Sequence, residues 1–237
     1  MSRLYLCAEK RGGRTVIADS FFSSPIKIAK PFYRDDHTEV MMMTASAGML
    51  DGDNYDIEIH VKSGASLKFT GQSFTKIFRS GEKGGASQHI KITVEDGGKL
   101  AFLPQPVIPF ADSKYDARTD VYLGEKASFI MQDIFSCGRT AMNESFAFKS
   151  YRSRTAVYVA GKLVFLDNVR LLPSETKLDG IGHFEGNSHS GMMYIYNTEH
   201  ANASDVCSTR AYKGECVRIL SESAQDITDK FQYNITN

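Results

Sequence analysis

The stretch AGMLDGDNYDIEIHV, residues 47–61, sets Asp51, Asp53 and Asp56 around Gly52 just before a run of alternating apolar and polar side chains. Spaced carboxylates of this kind can hold a divalent cation, share acid–base work, or fasten backbone amides in a turn. The calcium reading fails in detail. With Asp51 as the first ligand, Asp56 falls where the loop requires glycine and Lys62 where it requires a bidentate glutamate. A turn is the better account. In HFEGNSH, His183, Glu185 and His189 could offer imidazole and carboxylate to nickel, zinc or iron, with His200 further on. Neither HxxxH nor HExxH spacing is present, so a tight site of three or four convergent ligands is not expected. Met41, Met42, Met43 and Met49 suit core packing, because neighbours on a strand point to opposite faces and cannot all converge.

Nucleophilic and phosphate chemistry find little support. There is no GxSxG elbow, Cys137 has no partner histidine at a known spacing, and GEKGGAS lacks the order of a phosphate-binding loop. Cys7, Cys137, Cys207 and Cys216 lie far apart without a CxxC, which reads as reduced thiols in a cytoplasmic protein. With 28 basic and 28 acidic residues, no net field draws the chain to nucleic acid or to a membrane surface. No signal-peptide core or bilayer-spanning apolar stretch is present.

The elements that must carry these residues are strands. Ile57, Ile59 and Val61 alternate with polar neighbours, as do Ile90, Ile92 and Val94. Arg11–Arg14 and Ala160–Lys162 read as hairpin turns. Three segments, VKSGASLKFTGQSFTKIF, VEDGGKLAFLPQPVIPF and YLGEKASFIMQDIF, each pass from a turn through a strand to a glutamine and a second apolar strand, with Gln72, Gln105 and Gln132 at matching points. Such a repeat favours stacked β-layers over an ordinary meander, since each unit has an apolar face that only its neighbour covers. From Val217 the spacing of Leu220, Ala224, Ile227 and Phe231 predicts a helix. Nothing marks a domain boundary, so 1–237 reads as one domain with a helical segment over 204–237.

The ordered set SSPIKIAKPFY, SAGMLDGDNYDIEI, TGQSFTKIFRS, FLPQPVIPF, CGRTAMNESF and HFEGNSH resembles the urease accessory protein D family, called H in some bacteria. The resemblance implies a mainly β fold, two stacked sheets in a β-helix-like arrangement with a few helices, including one near the C-terminus. It also implies a non-catalytic scaffold in maturation of the nickel enzyme urease. Such a scaffold binds urease apo-enzyme and a UreF-type accessory protein in a hetero-oligomer that recruits a UreG-type GTPase. No tightly bound cofactor is expected, only nickel in transit. Gly48, Gly52, Lys76, Arg79, Ser80, Gly138 and Arg139 match family positions. Asp51, Asp53, Asp56, Glu144 and His189 become candidates for a nickel passage, with a structural ion pair as the other reading of Glu144. Phe32, Tyr33, Leu220, Ile227 and Phe231 are candidate partner contacts. The alternative is a β-solenoid carbohydrate-active enzyme drawing an acid pair from the 51–56 loop; the absence of tryptophan weakens it.

Overall fold

The structure, a computed structural model, describes residues 1–198 and 207–236. A hairpin of β1 (Ser2–Arg11) and β2 (Arg14–Phe22) opens the chain, followed by β3 (Ile26–Ile28), β4 (Phe32–Tyr33) and β5 (Thr38–Thr44). Then come three successive coils: β6 (Asn54–Val61), β7 (Ser66–Gly71) and β8 (Thr75–Ile77); β9 (Ala86–Val94), β10 (Lys99–Leu103) and β11 (Val107–Pro109); β12 (Lys114–Leu123) and β13 (Ser128–Ser136). The chain closes with β14 (Ser150–Val159), β15 (Lys162–Leu171), β16 (His189–Tyr196), β17 (Cys207–Ala211), β18 (Gly214–Ser221) and the helix α1 (Ala224–Thr236).

Two sheets face each other. The first runs β15-β14-β12-β9-β6-β1-β2, and the main path of the second runs β17-β18-β16-β13-β10-β7-β5-β3. Within the coils every pairing is parallel, so the repeat is a stack of layers and not a meander. Leu67 pairs with Leu100 and Leu100 with Phe129, which lines up one apolar rung through three coils. Phe69 and Phe102 stack at 5.3 Å on the next rung. Alternation explains the packing: Ile57, Ile59 and Val61 point inward, fully buried, while the residues between them face out. Equivalent turns carry each coil from the first sheet to the second, with Ala65, Gly98 and Ala127 donating N–H to the carbonyls of Lys62, Glu95 and Gly124. Gly64 and Gly97 occupy the left-handed position of the first two turns.

Two expectations need correction. Gln72 and Gln105 each stand five residues past paired leucines, but Gln132 stands three past Phe129 and so falls level with Leu103. Its side chain donates instead to the Pro104 carbonyl at 2.9 Å, and β13 runs unbroken where the earlier coils bend. The segment 204–237 is also not helical throughout: β17 and β18 form a hairpin, and α1 begins only at Ala224. Val217 and Ile219 belong to a period-two strand, and the four-residue step from Leu220 to Ala224 imitated a helix. Beyond it the helical spacing holds, since Ala224, Ile227 and Phe231 share one buried face against the outside of the second sheet.

Candidate functional site

The tight turns occupy one edge of the stack and the long connections the other. The acidic loop, the GEKGGAS loop and the CGRTAMNESF loop all lie at the long-connection edge. Asp51 there works as a fastener. Its Oδ2 accepts the Lys83 N–H at 2.9 Å and its Oδ1 the Gly85 N–H at 2.8 Å. Partial burial pushes this carboxyl up, but the amides of Lys83, Gly85 and Gly81 outweigh it and hold the group below its ordinary range. Asp53 closes its own turn by accepting the Leu50 N–H at 2.8 Å, and Gly52 takes the left-handed φ of 86° that the turn needs. Asp56 projects onto the outer face of the first sheet, 3.4 Å from His89.

Glu144 is tied to its own loop: it accepts the Ala111 N–H at 2.7 Å and pairs with Arg139, whose guanidinium also lies over the Phe110 ring. His189 is buried on the helix side of β16, where desolvation lowers its pKa. Ser188 Oγ donates to the Glu222 carbonyl at 2.9 Å, so the 2.7 Å contact with His189 Nδ1 has the imidazole as donor. The five passage candidates therefore do not converge on one ligand set; each is spent on a local bond. His200 lies outside the described residues.

The motif residues shape the same edge. Ser80 Oγ accepts the Lys114 N–H at 2.7 Å, and Arg79 lies 3.7 Å from Asp112. A Cβ on Gly138, which has a φ of 148°, would meet the Glu144 carbonyl at 2.6 Å. At Gly48 a Cβ would collide with the Lys76 carbonyl and stand 2.7 Å from the Phe78 ring. The backbone there is bonded on both sides of the bridge, Met49 N–H to Lys76 O at 2.8 Å and Phe78 N–H to Met49 O at 2.9 Å, so it cannot move away cheaply. Gly48→Ala is thus expected to lower unfolding stability by about 1–3 kcal/mol, read from the urea midpoint at unchanged slope.

Of the candidate partner contacts, Phe32 and Tyr33 are about half exposed on β4. Ile227 and Phe231 are fully buried under the helix and are corrected to internal packing. Leu220 lies on β18 and borders an internal cavity.

That cavity, about 220 Å³ between the two sheets, was missed from the sequence. Asp133 lies beside it, with Asp167, Ser153, His183, Met192 and Arg218 among its lining residues. Ser153 Oγ donates to Asp133 Oδ2 at 2.9 Å, and Arg218 pairs with Asp167 at 2.7 Å. Asp133 is half-buried, on a cavity whose rim includes the exposed His183, Arg218 and Leu220. Burial raises its pKa, with Ser153 opposing. A readable signal existed: Asp133 falls in the same inward series as Phe129, Met131 and Phe135, placing a carboxylate where the pattern demands an apolar residue. Polar groups continue further along the interior. Tyr115 donates to Gln88 at 2.8 Å, and Tyr55, whose pKa burial pushes up to about 12, has a buried hydroxyl with no partner. Among the described residues no group of three or more His, Cys, Asp or Glu side chains could hold a metal ion tightly.

A model of the UreD urease accessory protein family matches residues 1–233, which spans both sheets and most of α1. The chain belongs to this family. It is 43% identical to a urease accessory protein UreD of Acetivibrio thermocellus, over 82% of this chain and 75% of the relative. It is 36% identical to a urease accessory protein UreH of Helicobacter hepaticus, over 79% of this chain and 75% of that one. A UreD of Lachnoclostridium phytofermentans is 32% identical over 96% of this chain and 89% of its own length. In this UreD-family chain Gly48, Gly138, Arg139 and Ser80 have a physical role: they fix the long connections that roof one edge of the stack. No described helix is long and apolar enough to cross a membrane.

Proposed function

We propose that this chain is a non-catalytic scaffold of nickel-dependent urease maturation in the cytoplasm. It binds urease apo-enzyme and a UreF-type accessory protein, recruits a UreG-type GTPase through that complex, and gives nickel a route through the space between its sheets. Family membership is the observation that carries the reading. Two features support the finer parts. The cavity beside Asp133 offers carboxylate, imidazole and thioether side chains without a complete ligand set, and a transient path needs weak, partial ligation because a closed site would trap the ion. The exposed aromatics Phe21, Phe22, Phe32 and Tyr33 give the β2–β4 end an apolar surface suited to a protein partner. The carbohydrate-active alternative loses its acid pair, because Asp51 and Asp53 are committed to backbone amides.

Co-expression with the UreF-type and UreG-type proteins and the urease subunits tests the proposal. Copurification and nickel-dependent urease activity are expected only when this chain is present. Full activity in its absence would sink it. The purified chain alone should retain less than one equivalent of nickel after gel filtration; an ion that survives chelator would count against passage.

A further inference from the structure

A second feature of the long-connection edge is absorbed neither by the family positions nor by the internal cavity. The loop before β9, the first residues of β12 and β14 and the end of β15 enclose a surface groove of about 450 Å³ on the first sheet. Four cations line it, Lys83, Lys114, Arg152 and Arg170, against one carboxylate, Asp116, in a chain whose total charge balances. Arg152 and Arg170 are directly opposite each other on β14 and β15, an arrangement of like charges that costs stability. Among the described residues the single ion pair of the groove joins Arg152 to Asp116 at 3.8 Å, and Lys114 and Arg170 have no carboxylate within ion-pair distance.

The neighbouring row of the same strands shows what compensation looks like. There Arg118 and Arg154 are also directly opposite, yet both turn to the buried carboxylate of Asp120, at 2.6 and 3.3 Å, with His89 on the same group. In the groove row the carboxylate is Asp116, directly opposite Arg152 at 3.8 Å, and it is exposed where Asp120 is buried. We propose that this groove receives an acidic segment of a protein partner, whose carboxylates take the place that Asp120 fills one row away.

Carboxylates suit the groove better than a phosphate group does. A phosphate cradle uses the amides of a glycine loop, and the loop here is present, but its Lys83 and Gly85 amides already bind Asp51. What remains for a ligand is the side-chain set, in which Arg152 is shared with Asp116, and arginine forks match carboxylates in pairs. The groove lies at the surface and shares only Tyr151 with the lining of the cavity beside Asp133. The inference rests on the scaffold reading for its class of partner.

A fluorescein-labelled hexaglutamate peptide, titrated by anisotropy into the full chain at low ionic strength, tests the site directly. Saturable binding is expected, weakened about tenfold or more by Lys114→Gln with Arg170→Gln, which removes two of the four charge-assisted contacts. The exposed side chains make the variant safe for folding, and its melting curve checks this. Lys27→Gln with Lys30→Gln, at the far end of the stack, should bind the peptide like the parent; an equal loss there would mean bulk attraction and overturn the proposal. Displacement by millimolar inorganic phosphate would reassign the groove to small anions and overturn it as well. In the co-expression system the groove variant should lower copurification of the partners. If omitting the whole chain abolishes urease activation but the groove variant changes neither peptide binding nor copurification, the groove proposal fails and the scaffold reading stands. If omission has no effect on urease, the scaffold reading fails, and the peptide titration still judges the groove.

Discussion

Asp133→Asn is expected to stabilise the protein and to impair urease activation. The carboxylate is half-buried between the sheets, and burial raises its pKa against the Ser153 hydrogen bond. A raised folded-state pKa means that the folded protein holds the proton more tightly than the unfolded chain. The stability so gained is full below the ordinary aspartate value of about 3.9 and is lost as pH rises through the folded value. At neutral pH the group is therefore a net liability. Asparagine keeps an oxygen to accept from Ser153 and carries no charge, so the variant should gain about 1–3 kcal/mol at pH 7. For a chain of this size that is roughly 2–4 °C in Tm for each kcal/mol. The advantage should shrink toward zero as pH falls to about 4, where both side chains are neutral. A destabilising liability retained inside a scaffold calls for a function, and weak ligation of a passing cation supplies one, since an amide oxygen is a poorer ligand than a carboxylate. Nickel-dependent urease activity in the co-expression system should fall several-fold, with partner copurification intact. A variant that is less stable at every pH would show that Asp133 is a structural ion. Unchanged urease activity would remove it from the passage.

The layered fold was legible because the coils repeat their turns and their inward apolar positions, and the rung Leu67–Leu100–Phe129 is written in three separate segments. Gln132 misled because polar residues in a repeat need not stay in register when one coil loses its bend. The C-terminus misled for a different reason. One helical step can be imitated by a strand residue followed by a cap, and Leu220 and Ala224 lie on either side of that boundary. The site divided along similar lines. Sequence reasoning located the long-connection edge through Asp51, Ser80 and Glu144, because loops that must be fastened to one another need acidic and hydroxyl side chains as acceptors for backbone amides. The side chains around the cavity come from five strands and a loop scattered between Asp133 and Leu220. The pairing of β13 with β16, of β16 with β18 and of β14 with β15 brings them together, which spacing along the chain does not encode.

Phe231→Ala is expected to be the most destabilising single truncation in the helix. Phe231 and Ile227 are fully buried against Ile130, Ile134, Met193 and Ile195 on the outer face of the second sheet. Gly191 makes the approach possible: a Cβ there would collide with Ile227 and stand 3.0 Å from the Phe231 ring. At Gly191 the helix therefore sits on bare backbone, closely packed, so that truncation of the ring opens a void. Loss of the ring should cost about 3–5 kcal/mol, a large share of a typical folding stability of roughly 5–15 kcal/mol. Gly191→Val, which drives the helix away from the other side, should have an effect of the same sign. Urea unfolding distinguishes two routes. A single transition moved to lower denaturant means that the helix and the stack unfold as one unit; an early helix-specific phase means that α1 undocks alone and bares the apolar strip beneath it. In either case, reduced copurification of partners by Phe231→Ala would follow from that loss of packing, because the ring itself has no exposed surface with which to touch another protein. Gln225→Ala, on the exposed side of the same helix, separates the two causes: if it too lowers copurification while leaving the urea midpoint in place, the outward face of α1 contacts a partner after all.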